Sequence, residues 1–176
     1  MLVVYTFVDD FSQNVKEGFT LSELLLGLGS MKKVNFGCGS NRIDGWDNHD
    51  IETDITKRLP YGNGTVDLIL AEHVLEHISG PEALKFLDEA YRILKPKGVL
   101  RICVPVQDRL TIEHGRDIVL GHGHLTVWST TLLFRFMELA GFLVALSERK
   151  PCDGHWTVIG MEKDDLETAR LEGVKP

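Results

Sequence analysis

Three short stretches carry residue types that could do chemistry. In AEHVLEHI, His73 and His77 lie four apart, which on a helix would be one face. In GHGH, His122 and His124 flank Gly123. Histidine titrates near neutral pH, so His73, His122 and His124 can each take or give a proton. His77 reads more simply as a packed structural residue, and Gly121-His-Gly-His124 also reads as a hinge or a metal-binding stub. The His73–His77 spacing is that of a zinc pair, but Val74 stands where HEXXH needs its glutamate. Cys152 and His155 lack a second pair of ligands. On that ligand count no bound metal is expected.

The third stretch is VNFGCGS, residues 34–40, where an apolar run turns into Gly-x-Gly. Glycines there let something approach the backbone, although a tight turn alone would explain them. A phosphate loop would need Gly-x-x-x-x-Gly-Lys-Ser/Thr, which is absent. A dinucleotide fingerprint needs a third glycine, where Arg42 stands, and an acid about twenty residues on. Asp50 comes too early for that, so the pyrophosphate readings lose ground.

The elements that must position these residues follow from pattern. Leu2–Val8 reads as a strand, and Thr20-Leu-Ser-Glu23 as a capping box for a short helix through Leu28. Strands are expected at Lys33–Phe36, Asp47–Ile51, Val66–Ala71 and Val99–Val104. A helix opens at Ser79-Gly-Pro81, with Leu84, Leu87, Tyr91 and Leu94 at helical spacing. A second runs from Ser129 to about Ala140 and closes at Gly141. Phe142–Leu146 and Trp156–Met161 read as strands whose link is too short for a crossover, so they pair antiparallel. Glu162–Pro176 reads as a frayed helical end. The order defines an α/β fold whose sheet is mostly parallel, with one antiparallel strand near the C-terminus. Ligands in such sheets sit at the carboxyl ends of the strands, where Gly37–Ser40, Asp50, Ala71–His73 and Pro105 all fall.

Composition narrows the partners. The 176 residues suggest one domain, and 43% hydrophobic with 26% charged content is ordinary for a globular chain. The net charge is −7 and no run of Lys or Arg exceeds two, which disfavours nucleic acid as a partner. Three scattered cysteines fit a reducing compartment. No apolar stretch spans a bilayer, and MLVVYTFV lacks a basic leader, so a cytoplasmic setting is expected.

Taken in order, VNFGCGSNRIDGWDNHDI, DITKRLPYGNGTVDLILAEHVLEHI and ILKPKGVLRICVP resemble an S-adenosylmethionine-dependent methyltransferase of the Rossmann-like class. The nearest likeness is a small bacterial and phage group with a Leu-Asn-Leu-Gly-Cys-Gly…Gly-Trp-x-Asn-x-Asp signature. It covers about Lys32 to Met161 and implies a Rossmann-like three-layer sandwich. The resemblance implies that Asn35, Gly37, Cys38 and Gly39 face the methionine part of the cofactor. It puts Asp50 on the ribose hydroxyls, Asp54 and Ile55 at the adenine, and Ala71, Glu72 and His73 beneath the sulfonium. His73, His124 and His122 are then the candidate general bases, and the polar segment 105–125, with Asp108, Arg109, Glu113, His114 and Arg116, a substrate lid. A small polar acceptor, with sugars or envelope precursors as a guess, is implied. Two rivals stay open: a cofactor-binding or partner module without catalysis, and a NAD or nucleotide-sugar enzyme.

Only Ser40–Trp46 separates the glycine turn from the second strand, while a parallel crossover normally needs about a dozen residues. The first helix must therefore shrink to a turn, leaving part of one sheet face uncovered. The Thr20–Leu28 helix is expected to lie over that gap. Met31-Lys-Lys-Val equally reads as a natural start, with residues 1–30 an extension. The expected division is 1–30 extension, 31–161 methyltransferase domain and 162–176 tail.

Overall fold

A computed structural model describes residues 31–106, 123–146 and 168–176. The strands are β1 (Lys33–Phe36), β2 (Asp47–His49), β3 (Val66–Glu72), β4 (Leu94–Pro105), β5 (Leu143–Leu146) and β6 (Thr168–Val174). The helices are α1 (Gly80–Ile93) and α2 (Thr130–Leu139), with a 3-10 turn at Leu75–His77. The expectations for Leu2–Val8, Thr20–Leu28 and Trp156–Met161, and those for His122, Cys152, His155 and the polar residues 108–116, lie outside the described residues.

The sheet order is β2-β1-β3-β4-β6-β5. β1 pairs parallel with β2 and β3, and β3 with β4. β6 runs antiparallel between β4 and β5. The chain leaves β1 toward β2, then returns to its other side as β3, so the strand order reverses at β1. That switch opens a crevice at the carboxyl ends. The expected frayed helix near the C-terminus is corrected by β6: alternate residues Ala169 and Leu171 are fully buried, and their period of two suits a strand rather than a helix.

VDLILAE in β3 is apolar almost throughout because both faces of the strand are covered. Ile69 and Ala71 join one core with Phe36, Leu100, Ile102 and Val104. Leu68 and Leu70 face the other way, packed by Met31, Ile43, Trp46 and Val99. α1 starts with a capping box between Ser79 and Glu82, in which Ser79 N–H donates to Glu82 Oε2 (2.9 Å) and the Ser79 hydroxyl donates to the same oxygen (2.6 Å). Its buried stripe is Ala83, Phe86, Leu87, Ala90 and Ile93. The expected stripe is thus rotated, because two alanines rather than Leu84 and Tyr91 let the helix approach the sheet. α2 is capped at Ser129, whose hydroxyl accepts from Leu132 N–H (3.1 Å), and it closes at Gly141, as expected. It buries Leu133 and Met137 in the same core as α1.

Among the described residues, then, both helices cover one face. The α/β sheet stands, and the third layer expected from the resemblance is not built by either helix. No helix among the described residues is long and apolar enough to cross a membrane.

Candidate active site

The glycine turn sits at the end of β1. Gly37 and Gly39 have φ of +69° and +48°, the left-handed region that glycine enters without strain. A Cβ on Gly37 would come within 2.3 Å of Val74 Cγ2. So Gly37 is fixed by packing as well as by backbone conformation. Among the described residues, a Cβ on Gly39 would meet nothing within 4 Å. One glycine holds the turn against the strand end beside it, and the other faces open space.

The short link after the turn contains no helix and is held by amides. Asn48 Oδ1 accepts from Ile43 N–H (2.9 Å) and Asn35 Nδ2 (3.1 Å). Asn48 Nδ2 donates to the carbonyls of Ile43 and Trp46 (2.9 Å each). Asn35 Nδ2 also donates to Asn41 O (3.1 Å), and Asn35 is buried. An Asn has both donors and acceptors on one planar group, so a single side chain can satisfy a loop in this way. The structure thus gives Asn35 a scaffolding contact beneath the turn, shared with Asn48.

Asp50 follows β2 directly. Cys38 N–H donates to His49 O (3.0 Å), which extends the β1–β2 pairing past the strands and sets Cys38 beside Asp50. Among the described residues nothing hydrogen-bonds the Asp50 carboxylate; its backbone N–H donates to Glu52 Oε1 (2.9 Å) and its carbonyl accepts from Thr53 N–H (2.9 Å). A half-buried carboxylate with free acceptor sites, beside an open glycine, can take two hydroxyl donors. Ile51, next in the chain, is 96% exposed. Burial pushes the Cys38 thiol above its usual pKa, with Arg42 opposing and the acids Asp50 and Glu52 adding to the rise. The thiol stays neutral and is no nucleophile.

Asp54 is occupied differently. Its Oδ1 accepts from Thr56 N–H (3.0 Å) and Thr56 Oγ (2.6 Å), and its Oδ2 pairs with Lys57 (2.9 Å). These bonds, the Thr56 hydroxyl first, hold its pKa down at about 2. Ile55 is half-buried against the core. The intervening loop is pinned by His49, whose ring nitrogens meet Thr53 Oγ1 (2.8 Å) and Tyr61 OH (2.6 Å) and whose ring stacks on Phe36.

Across the crevice, Phe36 pairs with Ala71, which brings Glu72 and His73 level with Gly37. Ala71 is fully buried, and Glu72 Oε1 accepts from the Cys103 thiol (3.4 Å). His73 has φ of +53°, a strained value for a side chain with a Cβ, and strain of this kind gathers at functional sites. Its Nδ1 lies 3.2 Å from Glu76 Oε1. The one-face helical reading of His73 and His77 is corrected: the left-handed residue and the 3-10 turn break the helix, and His77 is exposed rather than packed. His124 is carried next to His77, with ring centroids 4.9 Å apart.

The structure therefore gathers Gly37, Cys38, Gly39 and Asp50 on one wall, and Glu72 and His73 on the other. Asp54 and Ile55 lie one turn beyond Asp50. Asn48, His49, Ile51 and Glu76 were not singled out from sequence. Asn48 lies within the quoted Gly-Trp-x-Asn-x-Asp signature, and Glu76 stands between two histidines in AEHVLEHI, so both had a signal. His49 and Ile51 had only their adjacency to Asp50.

Comparison with known proteins finds similarity to one class. Residues 40–102 match a family model described as a methyltransferase domain, a range that includes Asp50, Asp54, Glu72, His73 and Glu76. A protein of Mycolicibacterium smegmatis described as a probable S-adenosylmethionine-dependent methyltransferase is 32% identical over 95 residues, covering 54% of this chain and 35% of that protein. Two solved S-adenosylmethionine-dependent methyltransferases share the fold. The one from Archaeoglobus fulgidus superposes with a TM-score of 0.60 at 13% identity, over 88% of this chain and 91% of that one. The one from Thermotoga maritima gives 0.58 at 19% identity, over 89% and 87%. The chain spans about a third of the length of the curated relatives it matches. The segment 40–102 is thus similar to a methyltransferase domain, and S-adenosylmethionine is the cofactor named in the description of the mycobacterial relative.

Proposed function

We propose that this protein transfers a methyl group from S-adenosylmethionine to a small polar acceptor, of the sugar or envelope-precursor kind, in the cytoplasm. The observation that carries the reading is the pairing of open Gly39 with the unengaged Asp50 carboxylate at the carboxyl end of the sheet. Gly37–Gly39 would admit the methionine end of the cofactor to the backbone. Asp50 would accept from the ribose hydroxyls, and such bonds to a charged acceptor are the strong kind. The exposed Ile51 would offer an apolar face for the adenine, beside the Asp54 and Ile55 that the resemblance assigns to it.

The bound cofactor supplies an electrophilic methyl on a sulfonium. What the chain supplies is placement, holding the acceptor atom at about 3–3.5 Å in line. Glu72 and His73 line that position. His73, oriented by Glu76, serves as general base where the acceptor must lose a proton, a role worth about 10²–10⁴-fold. His124 and His122 are the alternatives on the 105–125 segment, which we assign to the acceptor side. The Thr20–Leu28 segment would cover the Leu68–Leu70 sheet face.

Titration calorimetry tests the reading. S-adenosylmethionine and its demethylated product should both bind, and NAD should not. Binding of NAD alone overturns it. Cofactor binding with no transfer across a panel of sugars and nucleotide-sugars would replace it with a non-catalytic module.

A further inference from the structure

The cluster opposite the glycine turn contains a carboxylate that hydrogen bonds leave half served. Glu76 is 1% exposed, and among the described residues its Oε2 has no hydrogen-bond partner. Its Oε1 is engaged by His73 Nδ1 at 3.2 Å. A buried oxygen without a partner is costly, and more so for a charged group, so some group is expected to meet it. One ligand atom each from Glu76, His77 and His124 lies within 4.8 Å of the other two.

The backbone builds this proximity. Leu125 and Thr126 N–H both donate to Glu76 O (2.7 and 3.1 Å), and the Thr126 hydroxyl donates to Ile78 O. Residues 48 apart in sequence are thereby latched, with His124 against the 3-10 turn. His77 is exposed and His124 half-exposed, so solvent reaches the open side of the cluster.

We propose that Glu76, His77 and His124 form a binding site for one divalent first-row transition ion of the zinc type. Two imidazoles and one carboxylate suit such an ion rather than magnesium or calcium, which prefer oxygen alone. An ionised glutamate with two neutral histidines leaves a net negative site, and Oε2 gains the partner it lacks. Ligand bonds of about 2.0–2.2 Å set donors roughly 3–3.5 Å apart, so the cluster closes by rotation of the two rings. Oε1 stays on His73, in the manner of ligating carboxylates that are held from behind. Three protein ligands leave a coordination position for water or an acceptor oxygen. This departs from the metal-free expectation, which paired His73 with His77 and did not see Glu76.

The proposal stands apart from the methyl-transfer reading, because its test needs no cofactor. The full-length protein, stripped with a chelator, is titrated with Co²⁺ alone and then with Zn²⁺. One cobalt per chain should bind, give visible ligand-field bands and be displaced by zinc. Zinc should also raise the melting temperature. Glu76→Gln and His124→Ala, checked for folding by circular dichroism, should each weaken binding at least about tenfold. His155→Ala should leave it unchanged. Absence of saturable cobalt binding by the folded wild type overturns the site. So does binding that survives both substitutions, or that His155→Ala abolishes.

Discussion

Asp50 is the residue on which the cofactor reading turns. Its carboxylate has no partner among the described residues, whereas Asp54, four residues on, is saturated by Thr56 and Lys57. The two acids look alike in sequence and differ in what remains free. Asp50→Ala should weaken S-adenosylmethionine binding by about 1.5–3 kcal/mol, the range for bonds to a charged group. Calorimetry measures it, and near-wild-type affinity removes Asp50 from the site. Sequence showed Asp50 through its place at a strand end after the glycine turn. It could not show Asp54's engagement, because an Asx-type turn depends on local geometry that spacing does not report. Glu76 was hidden for a related reason. One helical face through His73 and His77 would leave the residue between them pointing elsewhere, whereas the chain carries Glu76 buried in a 3-10 turn after the left-handed His73.

At the scale of elements, the Asn48 clamp replaces a helix. Three hydrogen bonds from one side chain hold the 41–46 link and a fourth ties it to Asn35 of β1, so both ends of the amide are used. Asn48→Ala should cost roughly 1–3 kcal/mol in urea unfolding, since it strands partly buried donors and acceptors. Asn48→Asp should not rescue it: a carboxylate oxygen would face the carbonyls of Ile43 and Trp46. Full stability of Asn48→Asp would show that the donor half of the amide is idle. Strands β1, β3 and β5 and helix α2 were legible because their patterns are local: an apolar run, a serine cap, a closing glycine. β6 was not. Its residues, TARLEGV, are mixed in character, and they become a strand because β4 and β5 offer unpaired edges on both sides. Tertiary pairing overrode a weak local signal.

Considered whole, the molecule is asymmetric across its sheet. α1 and α2 cover one face. The other has Leu68 and Leu70 under Met31, Ile43 and Trp46 among the described residues. On the proposal that the Thr20–Leu28 segment adds cover there, deleting residues 1–30 should lower the melting temperature by more than about 4 °C, equivalent to some 1 kcal/mol or more for a chain of this size. Scanning calorimetry decides it, and an unchanged melting temperature together with unchanged cofactor affinity refutes the cover.

The compact link after β1 has a further consequence, in the order of assembly. Asn35, the glycine turn, the Asn48 clamp and Asp50 all come from a stretch of sixteen residues, 35–50. Closing so short a loop costs little chain entropy, so this wall can form early and persist through partial opening. The opposite wall depends on a latch between Glu76 and Leu125–Thr126, across a far longer span of chain. Its closure entropy is larger and its local stability lower. By closure entropy the wall assigned to the cofactor is expected to be the more durable half of the crevice, and hydrogen exchange should report earlier opening at the wall bearing Glu76 and His124.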